Sequence, residues 1–372
     1  MNLAEQRLEG IFLTDREKTK QLKKAVIPYS TSDTKKSVMQ IMNTIPPMIA
    51  LWIAAYIILP YTVWGAVGLS VIAAGFVVRT FIIFHDCTHG SFFKNKKAND
   101  IVGLITGVLT LFSYEKWKKE HMIHHASSSN LDKRGVGDVW VMTVDEYVKA
   151  SKWQRFCYRA YRNPLVMFGL GPLYLVLVSS RFNHKDARKK ERFNTYLSNA
   201  IIVALFAGVI LLTNVQSLLI VQGTSMFVAG ALGIWLFFIQ HTFEDSYFEN
   251  ESEWDYVKAA VEGSSYYKLP IVLQWVTGNI GFHHVHHLAP RVPNYKLEEA
   301  HKMTPPLQSA TTITIKTSFE SLRYKLYDTP NKTFVTFKAV KSLVVTHDSK
   351  IKQSIETIKK SVNHSKSSKN VI

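Results

Sequence analysis

Residues 61–90 run YTVWGAVGLSVIAAGFVVRTFIIFHDCTHG, and the fold turns on how this stretch divides. From Tyr61 to Phe84 the run is apolar and broken only by Arg79. A hydrocarbon core of ~30 Å needs about 20 such residues as helix, so the run predicts a transmembrane span. It leads directly into His85 and His89. Their spacing of four puts both imidazoles on one helical face, one turn apart. The span therefore delivers a pair of histidines to one face of the bilayer.

Three further runs have membrane length: Val38 to Leu59, which carries Pro46 and Pro47, Tyr196 to Thr213, and Leu218 to Gln240. The turns around Pro60 and at Asn214–Ser217 hold no charge. Four spans as two hairpins with neutral outer turns place every basic segment on one side, as the positive-inside rule requires of cytosolic loops. The stretch Pro164 to Val178 is apolar but short, contains Gly169, Gly171 and Pro172, and is basic on both flanks. If it spanned, one basic cluster would lie outside, so it is expected to be interfacial or re-entrant. Ile101–Phe112 is too short to cross. The expected fold is an all-α integral membrane protein: four transmembrane helices, interfacial helices, and a cytosolic helical cap that carries the histidines. The expected organisation is a cytosolic segment 1–37, a membrane domain 38–301, and a basic cytosolic tail 302–372. The last twenty residues are expected to be disordered or loosely helical on the membrane surface.

The bulk numbers agree. The chain has 372 residues and a formal net charge of +17, while its mean hydropathy of +0.01 averages apolar runs with basic segments. The basic residues flank the apolar runs and form no continuous stripe, which argues against nucleic acid and for anionic lipid or acidic protein partners. Cys87 and Cys157 form no CxxC, which fits a reducing cytosolic face and excludes a disulfide scaffold or zinc ribbon. Met1 to Lys36 is hydrophilic and mixed in charge, so no cleavable signal peptide is expected and the first apolar run serves as insertion signal.

His121, His124 and His125 (HMIHH) and His283, His286 and His287 (HHVHH) repeat one HxxHH pattern. In each box the first and last residues are i,i+4 and the middle one i,i+3, so three rings are expected to converge over a single turn. With His85 and His89 this makes eight imidazoles on three short helical segments, enough to surround more than one metal ion. Neutral imidazole suits Zn, Cu, Fe and Ni. The HExxH motif of zinc hydrolases does not occur, and two cysteines exclude a thiolate site. His184, His301, His347 and His364 lie in basic or tail segments and are expected to be solvated. His284 falls outside the HxxHH pattern.

The boxes resemble the membrane fatty acid desaturase and hydroxylase superfamily, from about residue 38 to 301. HDCTHGSFF, HHASSSNLDKRGVGDVW and GFHHVHHLAPRVPNYKL are similar to bacterial acyl-lipid desaturases of the Bacillus type. The resemblance implies two non-haem iron ions, a cis double bond introduced into phospholipid acyl chains, and C5 as its position. It also implies a ninth ligand, His241, at the end of the last span. Relatives place an asparagine one turn before that histidine; here Phe237 stands there, and Asn279, four residues before His283, is the other candidate for the role. Asp86 and Asp138 are candidates to orient ligand imidazoles through their other N–H, as are Glu244 and Asp245. Arg79 lies near the cytosolic end of its span and is expected to snorkel.

No haem or flavin signature occurs, so electrons must come from another protein; a basic face favours an acidic ferredoxin or flavodoxin. The expected substrates are O2 and an acyl chain held in a narrow apolar tunnel, which must measure distance because a methylene offers no polar handle. Two other functions compete: a hydroxylase of lipids, alkanes or carotenoids on the same cluster, and a membrane metal transporter or sensor. A transporter would bury polar ligands midway through its spans, whereas these boxes lie at span ends and in loops.

Overall fold

In the computed structural model, residues 15–340 and 342 are described. The four expected spans are helices: α1 (Thr34–Ile58), α2 (Val63–His89), and two more introduced below. α1 breaks at Asn43–Thr44 and restarts at Ile45. Pro46 and Pro47 thereby fall in a first helical turn, where a missing N–H costs nothing. α2 starts under a Thr62 cap, whose Oγ1 accepts from the Gly65 N–H, and stops at Gly90 in the left-handed conformation. HDCTH thus continues the span without interruption.

Chain order then brings α3 (Lys96–Leu109), α4 (Tyr114–Ser127) and α5 (Lys152–Tyr161). The ambiguous apolar stretch follows as Val166–Arg181, bent 62° from α5. At 1.5 Å per residue neither limb reaches ~30 Å. The second hairpin is α6 (Lys189–Leu212) and α7 (Val215–His241), joined at Asn214, whose side chain caps the Ser217 N–H. α2 is the central helix, packed on α1, α3 and α7. Ala74, Val77, Val78 and Ile82 of α2 meet Leu236, Phe238 and Ile239 of α7 in the main apolar core.

α8 (Ile271–Val276) follows, and then the cap helices α9 (His283–Leu288) and α10 (Asn294–Met303). Short strands absent from the helical expectation tie it together. β1 (Met142–Thr143) pairs parallel with β4 (Leu326–Asp328), which pairs antiparallel with β5 (Thr333–Val335). β2 (Tyr266–Lys268) pairs parallel with β3 (Thr312–Thr314). The segment after residue 302 therefore folds back onto the cap: Leu307 is buried beside Val285, Leu288 and Leu297, and Tyr327 and Phe334 pack on Leu131 and Phe248. The last twenty residues lie outside the described ones.

Arg79 does not snorkel. It is 7% exposed, and its Nε donates to Thr44 Oγ1 at 3.1 Å. Its Nη1 donates to the Trp275 carbonyl, and the guanidinium lies 4.0 Å from the Trp275 ring centroid. A guanidinium can be held inside a bundle when its N–H donors find protein acceptors, and Thr44 and Trp275 supply them here.

Candidate metal centre

Each histidine box occupies a helix end. His85 and His89 close α2, His121, His124 and His125 sit in the last two turns of α4, and His283, His286 and His287 fill α9. His241 is the last residue of α7. The nine imidazoles sort into two groups whose ligand atoms lie within 4.8 Å of one another: His85, His89, His121, His125 and His286; and His124, His241, His283 and His287. The three rings of each HxxHH box, which lie over a single turn, do not all enter one group. The i,i+4 pair of each box enters one group and the middle histidine crosses to the other. Residues three and four apart lie on opposite sides of the i position, about 100° from one another at 3.6 residues per turn.

The Nε2 atoms face each other. In the first group His85–His121, His121–His125 and His125–His286 are 2.9, 3.1 and 2.9 Å apart. In the second, His124–His287, His283–His241 and His287–His283 are 3.3, 2.9 and 3.1 Å apart. Each Nε2 carries one proton or one lone pair, so a chain of such contacts cannot be satisfied by hydrogen bonds alone. The His241 Nδ1–H donates to the Gly263 carbonyl at 3.0 Å, which turns a lone pair toward His283. The buried Nε2 of His89 has no partner. A cation between the rings resolves all of these. With metal–nitrogen bonds of about 2.0–2.1 Å, ligands at right angles are roughly 2.9–3.0 Å apart and tetrahedral ones roughly 3.3–3.4 Å. Three of the six spacings match the right-angled case, one matches the tetrahedral case and two lie between, and an all-imidazole set suits a transition metal.

Burial holds His121, His124, His125, His283, His286 and His287 well below the ordinary imidazole range, and neighbouring imidazoles reinforce it. The rings are thus neutral and available as ligands. Apolar walls stand behind them. Trp117 stacks on His121 with centroids 4.2 Å apart and joins Phe81 and Phe84. Phe237 packs 5.0 Å from His124 and 5.3 Å from His241. A cavity beside the second group is lined by His124, Phe237 and His241, with Val139, Val141 and Phe248 opposite.

The polar candidates fare differently. Asp86 Oδ1 lies 3.2 Å from His85 Nδ1, and its Oδ2 accepts from the backbone and side chain of Asn294 at 2.7 and 2.8 Å. One carboxylate therefore touches both a first-box ring and the first turn of α10. Asp138 accepts from the Gly135 N–H at 2.9 Å and lines the cavity without bonding a histidine. Asn279 donates to the Asn294 carbonyl at 3.2 Å and so ties its turn to the first residue of α10. Glu244 accepts from the Tyr324 hydroxyl. His284 is buried and faces His301, Nε2 to Nδ1 at 3.0 Å, so neither joins a group and His301 is not simply solvated. His184 is exposed and pairs with Glu120; His347 and His364 lie outside the described residues. Sequence reasoning missed Asn294, Trp117 and the Gly263 carbonyl, none of which has a spacing signature.

Fold and site together define a class: integral membrane proteins that gather histidines from span ends and a cap into a buried centre fit for metal. Residues 62–316 match the fatty acid desaturase family, and the chain belongs to it. It is 56% identical over 328 residues to a fatty acid desaturase of Bacillus subtilis (strain 168), covering 88% of this chain and 93% of that protein. It is 25% identical over 256 residues to the sn-1 oleoyl-lipid 12-desaturase of Synechocystis, 66% of this chain and 70% of the relative. A chloroplastic omega-6 fatty acid desaturase of Arabidopsis thaliana is 29% identical over 241 residues, 60% of this chain and 49% of its own length. The protein is a membrane oxidoreductase that uses O2 to desaturate fatty acyl chains.

Proposed function

We propose that the nine histidines hold two iron ions, one in each group, and that the enzyme introduces a cis double bond into acyl chains esterified in membrane phospholipid. The observation that carries the metal reading is the buried, imidazole-only donor set with facing Nε2 atoms. Bound there, the iron pair supplies the O2 activation needed to remove two hydrogens from adjacent methylenes. The overall change is CH2–CH2 plus O2, two electrons and two protons to CH=CH plus two waters. The side chains bind and orient. His85 is held by Asp86, which also pins the first turn of α10; Trp117 and Phe237 keep water from the rings. No protein acid or base is assigned.

The similarity to an oleoyl-lipid desaturase supports an acyl chain carried by a lipid, and phospholipid as that lipid and C5 as the position are proposed from the resemblance to Bacillus-type acyl-lipid desaturases. Electrons come from a ferredoxin or flavodoxin, which the net charge of +17 favours by steering. The protein resides in the cell membrane with both termini and the boxes cytosolic, since its outer turns are uncharged and its basic segments share one side. Residues 1–37, 38–301 and 302–372 form the cytosolic lead, the membrane domain and the tail, with the start of the tail packed on the cap.

Expression in a host lacking desaturases, followed by mass spectrometry of phospholipid fatty acids with double-bond location, tests the reading. Monounsaturated phospholipid chains are expected; hydroxylated chains, or unchanged lipids with one labile zinc per chain, refute it. His124→Ala and His286→Ala should abolish product while the protein stays in the membrane. His184→Ala should retain activity near wild type.

A further inference from the structure

The stretch KLPIVLQWVTGNI, residues 268–280, makes an excursion that neither the spans nor the histidine boxes explain. Its two ends meet at the top of the bundle. Tyr267 N–H donates to the Gly281 carbonyl at 2.7 Å, Tyr266 and Phe282 form an antiparallel bridge, and Gln240 at the end of α7 donates to the Ile280 carbonyl. Between these ends the chain descends along α2. Gly278 abuts Ile82, Trp275 meets Phe76 edge-on with centroids 5.8 Å apart, and Val276 fills the space over Gly75. Tyr61 and Trp64, both exposed, mark the opposite membrane interface. Gly75 and Arg79 lie roughly 16 and 22 Å along α2 from Trp64 at 1.5 Å per residue, inside a hydrocarbon layer of ~30 Å. α8 is therefore at hydrocarbon depth.

What α8 shows outward matches that depth. Ile271 is 88% and Val272 71% exposed, and Leu273 and Trp275 are also exposed. The same holds for Ile49, Ile53 and Ile57 of α1 and Ile72 of α2, which face lipid. Gln274, the one amide side chain of α8, is turned inward with its Oε1 buried, and Lys268 is exposed at the neck. Arg79 bonds the Trp275 carbonyl and covers its ring. In hydrocarbon, irregular backbone persists only where protein satisfies it; here the N–H groups of Gly278, Asn279 and Ile280 bond back to the carbonyls of Trp275, Gln274 and Thr277, and Arg79 adds a second donor to Trp275.

We infer that residues 269–280 form a re-entrant finger inserted into the bilayer beside α2, its exposed α8 face in contact with lipid acyl chains and the last turn of α8 anchored by Arg79. Three residues after Ile280 the chain enters the third histidine box at His283. Ile82, against which Gly278 packs, is one turn below His85. The buried far limb of the finger thus ends within a helical turn of the metal centre, while its lipid-facing α8 lies deeper, beside Phe76 and Arg79.

The test is a nitroxide at Val272→Cys, in full-length protein with Cys157→Ser, reconstituted in phosphatidylcholine vesicles. Collisions with O2, which partitions into hydrocarbon, are compared with collisions with a water-soluble nickel chelate. Ile53→Cys and Lys185→Cys serve as lipid and water references. The ratio of O2 to nickel accessibility at 272 should match position 53 within about twofold; a ratio matching position 185 overturns the inference. Ile271→Cys repeats the measurement if the first variant does not fold. Adding Arg79→Met should raise nickel accessibility at 272 at least twofold, and unchanged accessibility refutes the anchor.

Discussion

His124 and His125 are neighbours in sequence, yet they enter different groups, as do His286 and His287. This follows from helix geometry and was hidden from spacing alone, because which ring meets which depends on how α2, α4 and α9 dock. The eight box histidines were legible from i,i+3 and i,i+4 spacing; His241 has no spacing partner and was reached only through resemblance. The burial of Arg79 was not legible, because sequence cannot show that the Trp275 carbonyl lies beside it. Asp86 is the polar candidate that the geometry favours. Asp86→Asn should weaken metal retention about 10–100-fold, as loss of a carboxylate behind a ligand does, measured by competition with a chelator; undiminished retention would remove its orienting role. The buried box histidines also set a pH dependence. Their folded values lie below the unfolded value of about 6.5, so the unfolded chain takes up more protons as pH falls. Stability of metal-free protein is full above about pH 6.5 and declines below it. Thermal unfolding between pH 8 and 5 should show the midpoint dropping in the acidic half; a flat profile contradicts this.

At the scale of elements, run length located all four spans, with ends displaced by one to seven residues, since a helix must present about 20 apolar residues to lipid. The α8 finger was invisible for the same reason: six residues are too few to register, and its insertion depends on packing against α2. The strands, two or three residues each, were missed because they carry no alternation long enough to detect. The neck of the finger offers a sensitive point. A Cβ at Gly281 would lie 2.4 Å from the Tyr267 carbonyl oxygen, a backbone atom that cannot swing aside. Gly281→Ala should therefore lower stability by about 1–3 kcal/mol and shift the loop leading into His283. A thermal midpoint in detergent equal to wild type would show that the neck yields.

For the whole molecule, two hairpins bring the ends of α2 and α7 to one side, where α4, α9 and the returning tail close over them. The boxes are far apart in sequence, yet the topology leaves them one place to meet. Convergence was legible from span order; the seal formed by residues 305–337 was not, because its strands β3 and β4 pair with segments far back in the chain. Two histidine groups, each closed around its own facing nitrogens, are the basis of the two-ion proposal. The most direct measurement is the iron content of protein purified from iron-replete cells, set beside that of His125→Ala and His283→Ala. Two iron ions per chain are predicted for the wild type, falling toward one in each single variant, with both lost when the variants are combined. A wild type holding one zinc, or iron content untouched by either variant, would contradict it.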